Sequence, residues 1–182
     1  VVKPGLVALR GAWVSGGIEW NFPSYGHSTN TFDPLPHRIV EHDDGSISVL
    51  VGTTEWVGRM RWTVATTIFP HSSAFRTRIR LLNDTMQPKR AYFWVNAAVH
   101  TYDDTRVTLP TNSVVKGKRE NALPWPVIDG KDRSWVKNTA EPGDFFSLQP
   151  SSFIAAYHHK RDHGTAHFAD KRFCPGKKFW TW

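Results

Sequence analysis

Two neighbouring segments alternate between apolar and polar residues, and that alternation constrains the fold more than any other feature of the chain. In the first, Met60, Trp62, Val64 and Ile68 fall on one parity and Arg59, Arg61 and Thr63 on the other. In the second, Phe75, Ile79 and Leu81 alternate with Arg76, Arg78 and Arg80. A period of two is the geometry of a half-buried strand, because successive side chains leave a strand on opposite faces. Phe69-Pro70-His71-Ser72-Ser73 supplies a connecting loop, so the two strands are expected to pair antiparallel. Met60, Trp62, Val64, Phe75, Ile79 and Leu81 would then point into a core and their arginine neighbours away from it. Just upstream, His37–His42 and Ser46–Gly52 flank Asp43-Asp44-Gly45, a hairpin signal.

The rest of the chain extends this pattern toward an all-β fold. Nine Trp, eleven Phe and four Tyr against two Met favour sheets, and no window of eleven or more residues carries a convincing helical period. Ala91–His100 is nearly all apolar or aromatic, which predicts a strand covered on both faces at the centre of a sheet. Arg106–Leu109, Phe145–Leu148, Phe153–His158, Thr165–Ala169 and Lys178–Trp182 are further strand candidates. Lys116–Pro142 is interrupted by Gly117, Pro124, Pro126 and Gly130 and is expected to be a long irregular region of the kind that folds over a site. No repeat or linker divides the 182 residues, which predicts a single domain over 1–182. The start without Met and the aromatic stretch at Lys177–Trp182 read as a fragment of a longer protein, cut at both ends.

Several classes lack support. A lone Cys174 excludes an intramolecular disulfide framework and a Cys-rich zinc site, leaving the compartment open. No apolar run approaches the length of a membrane-spanning helix, so no membrane partner is expected. There is no G-x-S-x-G elbow, P-loop or strand-linked G-x-G-x-x-G. The formal charge is +7, and Arg76, Arg78 and Arg80 beside Arg59 and Arg61 read as a solvated sheet face rather than a nucleic-acid stripe. His159, His163 and His167 have the spacing of a helical metal site, but Gly164 and the strand-like flanks argue against a helix. Neither a metal nor another cofactor is expected, and His167 reads as a sugar-contacting or capping residue.

Two segments carry candidate chemistry. Gly16-Gly17-Ile18-Glu19-Trp20-Asn21-Phe22-Pro23-Ser24-Tyr25-Gly26-His27 sets an acid, an indole, an amide and an imidazole in a turn-rich stretch. A pocket rim has that composition, as does a surface loop whose aromatics close over the core. In Trp94-Val95-Asn96-Ala97-Ala98-Val99-His100, Trp94, Asn96 and His100 share a strand face. His100 reads either as a site residue or as a satisfied core histidine. Glu19, Trp20, Asn21 and His27 are expected to converge with Trp94, Asn96 and His100 on one concave surface.

The residues Ala8–Pro23, Arg59-Met60-Arg61-Trp62, Asn96–His100 and Pro175–Trp182 resemble a bacterial family, a domain of unknown function found ahead of tetratricopeptide repeats. The family looks like part of the galactose-mutarotase-like group. The resemblance implies an antiparallel β-supersandwich that binds a mono- or oligosaccharide in a cleft on one sheet. It implies an acid–base role for His100; Glu19, the carboxylate embedded in the motif, is the candidate partner, and the chemistry of Trp20, Asn21, His27, Trp94, Asn96 and His167 suits sugar contacts. Whether the parent protein catalyses or only binds is left open, and a fragment would turn over little. The alternative is a non-catalytic protein-interaction scaffold coupled to tetratricopeptide repeats of the same chain.

Overall fold

The structure, a computed structural model, describes residues 3–6, 12–15, 17–28, 30, 33–117, 121–139 and 143–181. Gly16 of the paired glycines, Ala8–Gly11 of the family-like segment and Trp182 lie outside the described residues. The chain divides into two compact units, Val1–Ala98 and Val99–Trp182.

The first unit contains β1 (Lys3–Leu6), β2 (Ala12–Ser15), β3 (Ile18–Asn21), β4 (His37–Glu41), β5 (Ile47–Thr54), β6 (Arg61–Ile68), β7 (Phe75–Leu82) and β8 (Trp94–Ala97). β4-β5-β6-β7 form a four-stranded antiparallel sheet in chain order, and β1-β2 and β3-β8 are two-stranded. The β4–β5 turn closes at Gly45, whose φ of 77° suits glycine. Asp44 braces it by accepting hydrogen bonds from the Ser46 N–H and hydroxyl at 2.9 and 2.6 Å. These bonds hold the Asp44 carboxyl below its usual pKa.

β6 and β7 pair antiparallel from Arg61↔Leu82 to Ile68↔Phe75. Met60, Trp62 and Val64 are buried with Phe22, and Trp20, Leu35, Val51, Ile79 and Phe93 pack around them. Arg76, Arg78 and Arg80 are exposed. Phe75 and Leu81 depart from the expected core set and are substantially exposed. β7 is an edge strand among the described residues, and the Ile68↔Phe75 pair lies at the end of the ladder, where neither residue reaches the buried cluster. The expected central strand over Ala91–His100 is also shorter. Only Trp94–Ala97 is a strand, and its one partner among the described residues is β3.

The second unit contains β9 (Thr105–Thr108), β10 (Ser113–Lys116), β11 (Leu123–Pro124), β12 (Val127–Ile128), β13 (Lys131–Asp132), a 3₁₀ turn at Val136–Asn138, β14 (Gly143–Ser147), β15 (Phe153–His158), β16 (His163–Phe168) and β17 (Lys178–Thr181). Its sheets run β11-β10-β14-β17, β16-β15-β9 and β12-β13. Every strand pairing among the described residues of the chain is antiparallel, which makes the fold all-β. Val107, Leu109, Val114, Trp125, Ile128, Phe145 and Phe179 form the core of this unit. The stretch expected to be irregular carries β11, β12 and β13 and delivers Trp125 and Ile128 to that core. Asp129 and Gly130, at φ of 51° and 72°, make the tight turn between β12 and β13.

Candidate functional site

In the first unit the candidate site grows from the β3–β8 pair. The register sets Glu19 opposite Asn96 and Asn21 opposite Trp94, and directly opposed residues share a sheet face. Trp20, paired with Val95, therefore takes the other face, where it packs on the buried Phe22, Met60, Trp62 and Val64. The expectation that Trp20 joins its neighbours on a ligand surface is corrected by this parity: its indole is committed to the core. Asn21 is fully enclosed, and its carbonyl oxygen accepts the Ser28 N–H at 2.6 Å. It shapes the loop that follows β3, and its Nδ2 has no hydrogen-bond partner among the described residues.

That loop turns back so that His27 meets Glu19. The Nδ1–H of His27 donates to Glu19 Oε1 at 2.6 Å, with both side chains partly exposed. The His27 ring meets the Trp94 indole edge-on, centroids 5.3 Å apart, and the Trp94 Nε1–H donates to the Gly26 carbonyl at 3.2 Å. Glu19, His27, Trp94 and Asn96 are thus brought together on one face. A carboxylate bonded to one imidazole nitrogen fixes the ring's orientation, and the opposite nitrogen is then the one directed to exchange a proton or a hydrogen bond.

An open cleft of about 570 Å³ uses the same loop. Pro23 and Tyr25 line it together with Val57, Gly58, Lys89, Arg90 and Tyr92. The Tyr92 N–H donates to the Pro23 carbonyl at 2.7 Å, which ties the two sides, and the Tyr25 and Tyr92 rings lie 5.4 Å apart. Lys89 and Arg90 escaped sequence reasoning because they follow a turn, where no periodicity marks a face, and Tyr92 because it falls in the strand expected over Ala91–His100, which begins only at Trp94.

His100 belongs to the second unit and is exposed, so the core-histidine reading does not describe it. Its ring lies 4.6 Å from that of Tyr102, and the Arg161 guanidinium stands over Tyr102 at 4.0 Å. Tyr102 meets the buried His158 edge-on at 5.1 Å, and His158 lies 4.9 Å from His163. Thr105 Oγ1 accepts the Tyr102 N–H at 2.8 Å and lies 2.8 Å from His158 Nδ1. His163 and His167 lie on β16, and His167 is half-buried opposite Ile154. No group of three His, Cys, Asp or Glu among the described residues is placed to hold a metal ion.

Burial, then the nearby His163, pushes the His158 imidazole below its ordinary pKa of 6.5, outweighing the carboxylate of Asp104. Burial and the Lys177 ammonium lower His167 in the same direction. For such groups the unfolded chain binds protons that the folded one resists, so stability is complete above about pH 6.5 and is lost as pH falls below it. The urea midpoint is therefore expected to drop between pH 7.5 and 5.5, above the range where carboxylates titrate. The His158→Gln variant should show a smaller drop, and an equal drop in both proteins would refute the assignment to His158.

The chain belongs to the family described as Domain of unknown function (DUF5107), whose model matches residues 1–182 and so spans both units. Among solved structures it is similar to the crystal structure of a TPR-domain containing protein from Parabacteroides distasonis ATCC 8503, with a TM-score of 0.83 and 24% identity over 100% of this chain. The chain spans 31% of the length of that protein. At this identity the likeness is one of fold, and the fold shared is all-β.

Proposed function

We propose that this DUF5107 domain binds a mono- or oligosaccharide for a larger bacterial protein, through the face of the first unit that carries Glu19, His27, Trp94 and Asn96. The observation that carries the reading is the Glu19–His27 couple seated against the Trp94 indole, with Asn96 opposite Glu19. Sugars present a rim of hydroxyls around apolar C–H faces, and a carboxylate, an imidazole and a carboxamide around an indole match that chemistry. The sequence resemblance to galactose-mutarotase-like proteins points the same way. If the parent protein is catalytic, Glu19 and His27 supply a proton acceptor and donor in contact; His100 and His167 are candidate sugar contacts of the second unit by itself.

The test is a glycan array followed by calorimetry on the full chain and on Glu19→Gln and Trp94→Ala variants. Each substitution is expected to weaken binding about tenfold or more, roughly 1.4 kcal/mol. His100→Ala and His167→Ala report whether the second unit contributes. The second reading, a protein-interaction scaffold coupled to repeats, draws on the TPR-domain containing neighbour, of which this chain matches only 31%. Absence of binding to any glycan would favour it.

A further inference from the structure

We infer that the cleft between Tyr25 and Lys89–Arg90 takes the acidic sugars of a uronate-containing oligosaccharide; the inference rests on the carbohydrate reading of the first unit and names the class of sugar. The cleft has a volume within the range of small-ligand sites. Its walls are fixed by bonds within the unit. The Tyr92 N–H donates to the Pro23 carbonyl on one side, and the Lys89 ammonium donates to the Gly58 carbonyl across it. The Glu55–Met60 turn beneath is held by the enclosed Glu55 carboxylate, which accepts the Val57 and Met60 N–H groups at 2.8 and 3.3 Å.

On this fixed frame Tyr25 is 83% exposed and Tyr92 49%, and Trp56 and Val57 also stand in solvent on the adjoining turn. Keeping large apolar side chains in water forgoes burial free energy, and a contiguous group of them marks a binding surface. Two tilted tyrosine rings 5.4 Å apart offer faces to pyranose C–H groups and hydroxyls to their rims.

The charge of the cleft selects among sugars. Lys89 and Arg90 line it and no carboxylate does. Glu55 is enclosed and engaged by backbone N–H groups, and Asp84 is occupied by Arg61 at 2.8 Å. A planar guanidinium matches the geometry of a sugar carboxylate bidentately, and an ammonium supplies a second point charge. Aromatic rings plus cations also suit single-stranded nucleic acid. Two neighbouring cations in one cleft favour a short charged sugar over a long phosphate backbone, which needs an extended charged track.

The experiment titrates the full chain with hexamers of galacturonate, glucuronate and mannuronate, each beside its methyl ester, and with a dT oligonucleotide. Esterification keeps the rings and removes the charge. At least one hexuronate is expected to bind, its ester at least tenfold more weakly, with Arg90→Gln and Tyr25→Ala each weakening the acid about tenfold. Both substitutions are at the surface, and circular dichroism checks that the variants stay folded. An ester that binds as well as its acid, or an affinity that neither variant changes, overturns the inference. So does the binding of neutral glycans with Glu19→Gln sensitivity but of no hexuronate, which leaves the carbohydrate reading standing. Failure of every glycan overturns both, and tighter binding of dT that is lost in Tyr25→Ala reassigns the cleft to single strands.

Discussion

Replacing Phe145 with alanine is expected to destabilise the second unit by about 3–5 kcal/mol, the range for emptying a large aromatic from a packed core. Phe145 is 3% exposed and lies between Trp125 and Phe179, with ring centroids at 5.4 and 5.7 Å. It therefore anchors β14 to both β17 and the turn-rich stretch that carries Trp125. The cavity left by alanine would strip two other aromatics of their contacts, and neither can move far because each is held by its own strand or turn. Phe146 is the internal control. It is 38% exposed on the opposite face of β14, beneath the Lys178 ammonium at 5.1 Å, and its alanine variant should lose less than about 1 kcal/mol. Urea unfolding followed by tryptophan fluorescence separates the two. Equal losses would refute the burial of Phe145 over Phe146, and a larger loss in Phe146→Ala would mean that β14 presents its faces the other way round.

The sequence carried the hairpins and much of the core because parity and turn chemistry are local properties. Met60, Trp62 and Val64 share a parity that any strand conformation puts on one side, and burying that side is what forms the sheet. Phe153–His158 is a strand with the bounds its composition suggests. What could not be read was which strand stands at an edge. Phe75 and Leu81 alternate as well as Trp62 does, but edge position follows from which strand pairs last, and no local pattern reports it.

The candidate site divides along the same line. Glu19, Trp20 and Asn21 were grouped by composition, although β3 parity already separates Trp20 from its neighbours. The pairing of Glu19 with Asn96 joins residues far apart in the chain, and the return of His27 onto Glu19 depends on a loop without periodicity. Burial also changes a residue's role. Asn21 belongs to the right face but is closed off from solvent, so it can shape the loop without reaching a ligand.

The turn that walls the cleft supplies the second large expected effect: Glu55→Ala should cost the first unit about 3 kcal/mol. Glu55 is 1% exposed, and its two oxygens accept the N–H groups of Val57 and Met60. Bonds to a charged acceptor contribute about 1.5–3 kcal/mol each, and the longer Met60 bond belongs at the lower end of that range. Alanine leaves the buried Met60 N–H without its acceptor, whereas Val57 is exposed and can turn to water. Glutamine should recover only part of the loss, since its amide presents one acceptor and sets a donor against the other N–H. Gly58 tests the geometry independently. A Cβ there would meet Glu55 Oε1 at 2.5 Å and Pro23 Cγ at 3.2 Å, so Gly58→Ala forces the carboxylate to move. In the Glu55→Ala background the first clash is gone, and Gly58→Ala should be milder than in the parent protein. A double-mutant cycle on urea-derived stabilities measures that coupling. Additive costs would show that the carboxylate does not fill the space under Gly58, and would remove the brace from beneath the cleft wall.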